Sequence, residues 1–288
     1  MRIWQVDAFA LAGANGRALP FTGNPAAVVP LESWPADEVL RAIALENNLS
    51  ETAFLLPRRV DGMIPIRWFT PAVEVALCGH ATLASAQVVL DEIEPGGARV
   101  VFDSLSGPLP VERGGFDAGG AWAASTDGAW FQLDFPALPC APGTADDAAR
   151  LAATLGVAVL EAHVSERRWI AVLADAGAVA SLRPDFAAIA RLEKPALVVT
   201  ARAGADAYGA DFVSRHFGPN AGVAEDPATG SAHCTLAPFW AARVGRTALT
   251  GRQLSARGGE LHCAVAGDRV LIAGRVAPYL RGEIVAPA

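Results

Sequence analysis

The chain has 288 residues, 52% of them hydrophobic and 18% charged, with a formal net charge of −7 and a pI near 5.3. That length suits about two domains with sizeable cores, and the composition excludes a disordered chain. An acidic balance without clustered Lys and Arg leaves no footprint for nucleic acid or an anionic membrane.

Lys194 is the only lysine, so arginine carries nearly all the positive charge. The start, MRIWQVDAFA, lacks the apolar core of a signal peptide, and no apolar run reaches the roughly 18 residues of a membrane span. A cytoplasmic protein is expected. Cys78, Cys140, Cys234 and Cys263 are scattered without CxxC spacing, so they read as thiols, with no metal site expected.

In chain order, alternating or β-branched runs predict strands at RIWQVDAF, PAAVVPL, TAFLLP, IPIRWF and ARVVF, all before residue 105. A helix is expected from the Gly79-His80 turn through ATLASAQVVLDEI. The stretch VERGGFDAGGAWAASTDGAW has no periodicity and marks a crossing between halves, with the boundary near residue 118. Beyond it, strands are predicted at WFQLDF, RRWIAVLA, ALVVTA and FVSRHF. A helix follows at DFAAIARL in the gap before ALVVTA, another from Gly230 through SAHCTLAPFWAARV, and strand pairs close the chain. Strands outnumber helices, and several connections are too short for a βαβ crossover. The fold class is therefore α+β, with mixed, mostly antiparallel sheets each packed on one long helix.

RWFTPAVEVALCGHATLASA (residues 67–86) is echoed by RHFGPNAGVAEDPATGSAHC (residues 215–234). Laid together without a gap, 148 residues apart, Arg67 meets Arg215, Phe69 meets Phe217 and Pro71 meets Pro219. In that register Cys78 falls on Asp226. A period this long implies two pseudo-equivalent domains and not a solenoid.

Each copy ends at a turn entering a helix, where free N–H groups and a partial positive charge accumulate. Two such ends across a cleft would hold a carboxylate or a developing oxyanion. The alternative is a pair of ordinary capped helix starts, with Thr229 or Ser231 as N-cap. Glu51 stands in NNLSETAFLLP, where apolar surroundings would raise its pKa toward the range of proton transfer. A capping box from Asn48 to Glu51 is the alternative there. His80 stands beside a thiol at a helix entry, His233 stands inside the second helix in either core or cleft, and His163, His216 and His262 show no ligand spacing with one another. There is no GxxxxGK[ST] and no GxGxxG, so no cofactor is expected.

The segments FTGNPAAVV, NNLSETAFL, IRWFTPAVEVALCGHATLASA and EDPATGSAH together resemble the PhzF-like family of phenazine biosynthesis, relatives of diaminopimelate epimerase and proline racemase. The resemblance covers most of the chain. It implies two pseudo-twofold domains, each a mixed sheet or barrel around a central helix, of the diaminopimelate epimerase-like type. The expected halves are residues 1–117, joined by the last strand at about 277–288, and residues 118–276, with the active site in the cleft between them.

The resemblance also implies Glu51 as the acid/base glutamate, with His80, Asp226 and Ser231 lining the site as catalytic or substrate-holding groups. Cys78, Gly79, Ala81, Thr229 and Gly230 are the other residues expected against a small-molecule carboxylate substrate. The implied activity is cofactor-independent isomerisation by proton movement, as in the phenazine enzyme acting on trans-2,3-dihydro-3-hydroxyanthranilate. A homodimer is compatible with the resemblance. In the related racemases each half supplies a cysteine, so Cys78 facing Asp226 speaks against a two-thiol racemase. An epimerase using Cys78 with an acidic partner, and a non-catalytic small-molecule-binding protein, are the alternatives.

Overall fold

The structure, a computed structural model, describes residues 1–116, 122–123, 129–204 and 209–285. The boundary expected near residue 118 lies outside the described residues.

Strands β1 (Arg2–Ala10) and β2 (Asn24–Pro30) precede helix α1 (Asp37–Asn47). Next come β3 (Glu51–Leu55), β4 (Ile64–Phe69) and the short β5 (Glu74–Val75), which leads into α2 (Gly79–Val88) and a π-helical turn at Val89–Ile93. A hairpin follows, β6 (Arg99–Ser104) and β7 (Gly107–Arg113), then a two-stranded ribbon of β8 (Gly115–Phe116) and β9 (Trp122–Ala123). The chain continues as β10 (Trp130–Pro136), β11 (Ala141–Pro142), α3 (Ala145–Leu155), β12 (Glu161–Val164) and β13 (Arg168–Val172). Short helices α4 (Ala176–Ser181) and α5 (Phe186–Ile189) lead to β14 (Ala196–Arg202), β15 (Phe212–Gly218) and β16 (Val223–Asp226). Helix α6 (Gly230–Val244) and strands β17 (Ala248–Gln253), β18 (Gly259–Ala266) and β19 (Arg269–Glu283) complete it. Helices α1 and α3 were not expected from the sequence. The apolar spacing of Leu40, Ile43 and Ala44 gives α1 the face it buries over β2 and β3.

Eight strands close a ring through the pairings β1–β2, β2–β3, β3–β4, β4–β6, β6–β7, β7–β10, β10–β19 and β19–β1. Only β2–β3 and β4–β6 are parallel. Helix α2 runs inside this barrel, and all ten of its residues are buried. GHATLASAQV has no polar stripe to offer water, so the centre is where it fits. Its hydroxyls are satisfied within the helix, Thr82 donating to the Cys78 carbonyl and Ser85 to that of Ala81.

The second half repeats the pattern. Pairings β13–β14, β14–β15, β15–β17 and β17–β18 alternate parallel, antiparallel, parallel, antiparallel, the same order as β2–β3, β3–β4, β4–β6 and β6–β7. Helix α6 takes the place of α2. Pro238 inside α6 has no N–H, which frees the Cys234 carbonyl, and Leu138 N–H takes it at 3.0 Å. The α+β class, with two related halves built mostly of antiparallel strands around central helices, is the one the sequence implied. Strand β19 pairs with β18, β10 and β1, making one continuous sheet of both halves. Among the described residues no helix is long and apolar enough to cross a membrane.

The gapless register of the repeat needs correction. Arg67 forks onto Glu74, and Arg215 forks onto Glu225, in matching two-bond geometry. Between the members of each pair the second copy holds three more residues, taken up by the 3-10 turn at Pro219–Ala221 and by Gly222 at φ +84. After that turn the spacing is 151, so Gly79 matches Gly230 and the N-cap Cys78 matches the N-cap Thr229, not Asp226.

One backbone crossing sets the entrance to β2. Phe9 has φ +57 at a bulge in β1, and Gly23, at φ +74, lies so close that a Cβ there would stand 2.3 Å from the Ala8 carbonyl oxygen. Gly23 N–H also reaches the Gly258 carbonyl at 2.8 Å, tying the two halves beside Asn24. Gly23→Ala is expected to destabilise the protein by about 2–3 kcal/mol, read as a lower midpoint in urea unfolding, because neither the backbone angle nor the space tolerates a Cβ.

Candidate active site

Helices α2 and α6 meet head to head, with a Cβ built on Gly79 only 3.5 Å from the Gly230 Cα. Thr229 makes no side-chain cap hydrogen bond and Cys78 meets only the Ala81 N–H, while the Ala232 N–H turns back to the Thr229 carbonyl at 3.2 Å, so the N–H groups of Gly79, His80, Gly230 and Ser231 are left for another acceptor. The ordinary capped starts weighed from the sequence are therefore not what forms here.

Glu51 opens β3, in register with Ala26 of the parallel β2. Helix α1 has already ended at Asn48, which is left-handed at φ +48, so no capping box forms with Glu51. Its carboxyl is 15% exposed and meets Cys78 and His80, one donor atom from each of the three lying within 4.8 Å of the others. Carboxylate, thiol and imidazole are a chemically reasonable donor set for a metal such as zinc, although the sequence carried no such spacing. Burial pushes Glu51 well above the usual carboxylate range, and the nearby Asp226 pushes it further, against a hydrogen bond from Cys78. Burial raises the Cys78 thiol too, and the Glu51 charge adds to it.

His80 is driven down to about 3 by burial, so its ring is neutral. Asn24 Nδ2 is a pure donor and lies 3.1 Å from His80 Nδ1, which must accept. The ring proton therefore sits on Nε2, 3.2 Å from Glu51 Oε2. That approach is near in distance but off the direction a hydrogen bond requires, and both are among the buried side-chain atoms left without a partner.

Asp226 ends β16 and stands in register with His216 of β15. Its Oδ1 accepts from Asn24 Nδ2 at 2.6 Å and its Oδ2 from the Thr229 hydroxyl. Burial nonetheless lifts its pKa to about 6, since those hydrogen bonds only partly offset desolvation. Gln253 fastens the turn, accepting from Thr229 N–H at 2.9 Å and donating to the Asp226 carbonyl. Ser231 lies in the first turn of α6, where Arg168 donates to its carbonyl at 2.6 Å and its hydroxyl at 3.2 Å. The Ala81 methyl faces the core, but its N–H reaches Cys78. Cys234 is buried a turn beyond Gly230, its thiol pushed to about 12.

The structure thus brings Glu51, Cys78, Gly79 and His80 of one half against Asp226, Thr229, Gly230 and Ser231 of the other. Three participants escaped the sequence reading: Asn24, Arg168 and Gln253. Asn24 was legible as part of FTGNP, but a β-strand amide has no motif that announces partners 56 and 202 residues away. Arg168 and Gln253 sit in unremarkable strands.

A two-half fold with carboxyls, a thiol and an imidazole buried together at facing helix ends has the features of an enzyme's active site. The model of the PhzC-PhzF family, phenazine biosynthesis-like proteins, matches residues 6–282, and the chain belongs to that family. It is 45% identical to an uncharacterised isomerase of Pseudomonas aeruginosa, over 99% of this chain and 98% of the relative. A PhzF-family crystal structure from Enterococcus faecalis is 38% identical with a TM-score of 0.82, covering 99% of this chain and 98% of that one. A probable proline racemase from Agrobacterium radiobacter, 14% identical with a TM-score of 0.61 over 99% of this chain and 92% of its own, shares the fold.

Because the folded protein holds Glu51 protonated above its ordinary range, the unfolded chain releases that proton first as pH rises. Stability contributed by neutral Glu51 is full below pH 4.5 and is lost as pH rises toward the folded value. Glu51→Gln is therefore expected to stabilise the protein by about 1–3 kcal/mol at neutral pH. The gain should shrink toward pH 4, as measured by urea unfolding across that range.

Proposed function

We propose that this chain is an isomerase that moves a proton within a small carboxylate-bearing substrate, cyclic or amino-acid-like, with Glu51 as general acid and base. The observation that supports it best is the pair of buried carboxyls, Glu51 and Asp226, both raised and each sensing the other's half of the site. Such a pair loses its protons in two separated steps, so near neutrality it offers one carboxylate and one carboxylic acid together.

The substrate carboxylate takes the uncapped N–H groups at the starts of α2 and α6, where the helix dipoles favour negative charge. Glu51 takes a proton from one carbon, and the released electron pair shifts the adjacent double bond. The charge that develops is stabilised by the same N–H groups. Glu51 then returns the proton at another carbon of the same molecule, so the reaction balances without a cofactor. His80 presents its unpartnered Nε2–H to the substrate beside Glu51, and Asp226 holds the second proton of the pair.

A second reading, an epimerase using Cys78 with an acidic partner, is favoured by the thiol's place within the cluster, 3.5 Å from His80 Nδ1. Against it stands the raised thiol, a poor source of thiolate near neutral pH. Thr229, at the equivalent N-cap of the other half, offers a hydroxyl in place of a second thiol.

Proton NMR in deuterated water, with dihydro-hydroxyanthranilate analogues and both enantiomers of common amino acids, distinguishes the readings. Vinyl signals are expected to move, and Glu51→Gln to lower kcat by about 10²–10⁴. Cys78→Ala should keep turnover near the parent value; its loss, with exchange at an α-carbon, would install the epimerase reading instead.

The pH profile gives a separate check. Activity needs Glu51 ionised while the pair keeps one proton, so kcat/KM should climb as pH rises through the first proton loss of the Glu51–Asp226 pair, which burial holds above the ordinary carboxylate range. It should fall again at higher pH as the pair gives up its second proton.

A further inference from the structure

Two arginines are buried in the second half, and they are treated differently. Arg215, 8% exposed, forks onto Glu225 with two charge-assisted hydrogen bonds. Arg168, 5% exposed, makes no ion pair among the described residues and donates only to the neutral oxygens of Ser231. Its Nε has no partner. Both Asp226 oxygens are taken by Asn24 and Thr229, so that carboxylate does not answer the guanidinium directly. A shielded cation without a carboxylate is costly to the fold, and a guanidinium fork matches a carboxylate in two parallel bonds.

The surroundings point the same way. Arg168 opens β13, and Ile170 and Val172 of the same strand face lie in the cluster around α6. Phe212 of β15 belongs to that cluster, so the alternating residues Ser214 and His216 lie on its face as well. The Ser214 hydroxyl and both His216 ring nitrogens are shielded and unpartnered. Across the sheet Ile170 pairs with Val198 and Val198 with His216, which sets His216 on the face that Arg168 shares, and Arg168 and His233 both push the His216 pKa down after burial does. Burial keeps His216 neutral, so it presents one donor and one acceptor.

We propose that Arg168, with His216 beside it, recognises a second carboxylate on the substrate, making the physiological substrate a dicarboxylate. The first carboxylate lies on the uncapped helix ends and the second on the Arg168 fork, one residue along α6 at Ser231. This rests on the isomerase reading only in sharing its site.

The test needs no knowledge of the natural substrate. Dissociation constants are measured by calorimetry for matched pairs, benzoate with isophthalate and butanoate with glutarate. The dicarboxylate of each pair is expected to bind at least about tenfold more tightly. Arg168→Gln should erase that advantage while leaving the monocarboxylates unchanged, Arg168→Lys should keep part of it, and His216→Leu should reduce it. If Arg168 serves only to hold Ser231, Arg168→Gln weakens both members of a pair equally, and the proposal falls.

If Arg168→Gln does not fold, the wild-type pairs decide. No dicarboxylate advantage in the wild type overturns the proposal. Glu51→Gln separates the two readings, because it should abolish proton exchange yet preserve the dicarboxylate advantage. Exchange without that advantage overturns this proposal alone, and the advantage without exchange overturns the isomerase reading alone.

Discussion

The chemistry of both halves hangs on one primary amide. Asn24 Nδ2 has two hydrogens and three acceptors within reach: His80 Nδ1, Asp226 Oδ1 and the Ala228 carbonyl. It is fully buried, so none of those bonds has a competing water. Through them a residue at the start of β2 sets the tautomer of His80, the orientation of Asp226 and the path of the turn into α6. Gly23 immediately before it and Gly258 across the halves hold that amide in place.

Burial then lifts two neighbouring carboxyls above their ordinary range. Glu51 and Asp226 each lose hydration, and neither gains a direct arginine partner, unlike Glu74 of β5 and Glu225 of β16. The contrast is physical: Glu74 and Glu225 are each held by a guanidinium fork, whereas the two carboxyls at the helix ends have none. The site is thereby made reactive at the expense of stability, as functional sites commonly are.

The duplication explains how such a site arises without demanding symmetry. The same order of strand pairings, the same Arg–Glu fork and the same glycine at the helix start appear twice. Three residues added at the turn around Pro219–Gly222 slip the second copy by three positions, leaving Asp226 opposite Val75 and Thr229 opposite Cys78. The two sides of the cleft therefore differ in chemistry, one presenting glutamate, thiol and imidazole, the other aspartate and hydroxyls.

Local pattern determined a good deal. Alternation predicted strands such as IPIRWF and FVSRHF, and the turns at Gly79 and Gly230 predicted the two long helices, whose place at the centre of each half came from the family resemblance. The motifs NNLSETAFL, CGHAT and EDPATGSA likewise placed Glu51, His80 and Asp226 among the candidates, since short-range context already joins a polar group to an apolar strand or a helix start. Only the tertiary structure decided the register of the repeat, because a three-residue difference in one turn leaves no trace in a gapless comparison of Ala-rich segments. It alone also brought in Asn24, Arg168 and Gln253. Their roles come from hydrogen bonds across long sequence separations, and desolvation, which sets every pKa in the site, is a property of what the whole fold packs around a group and not of its neighbours in the chain.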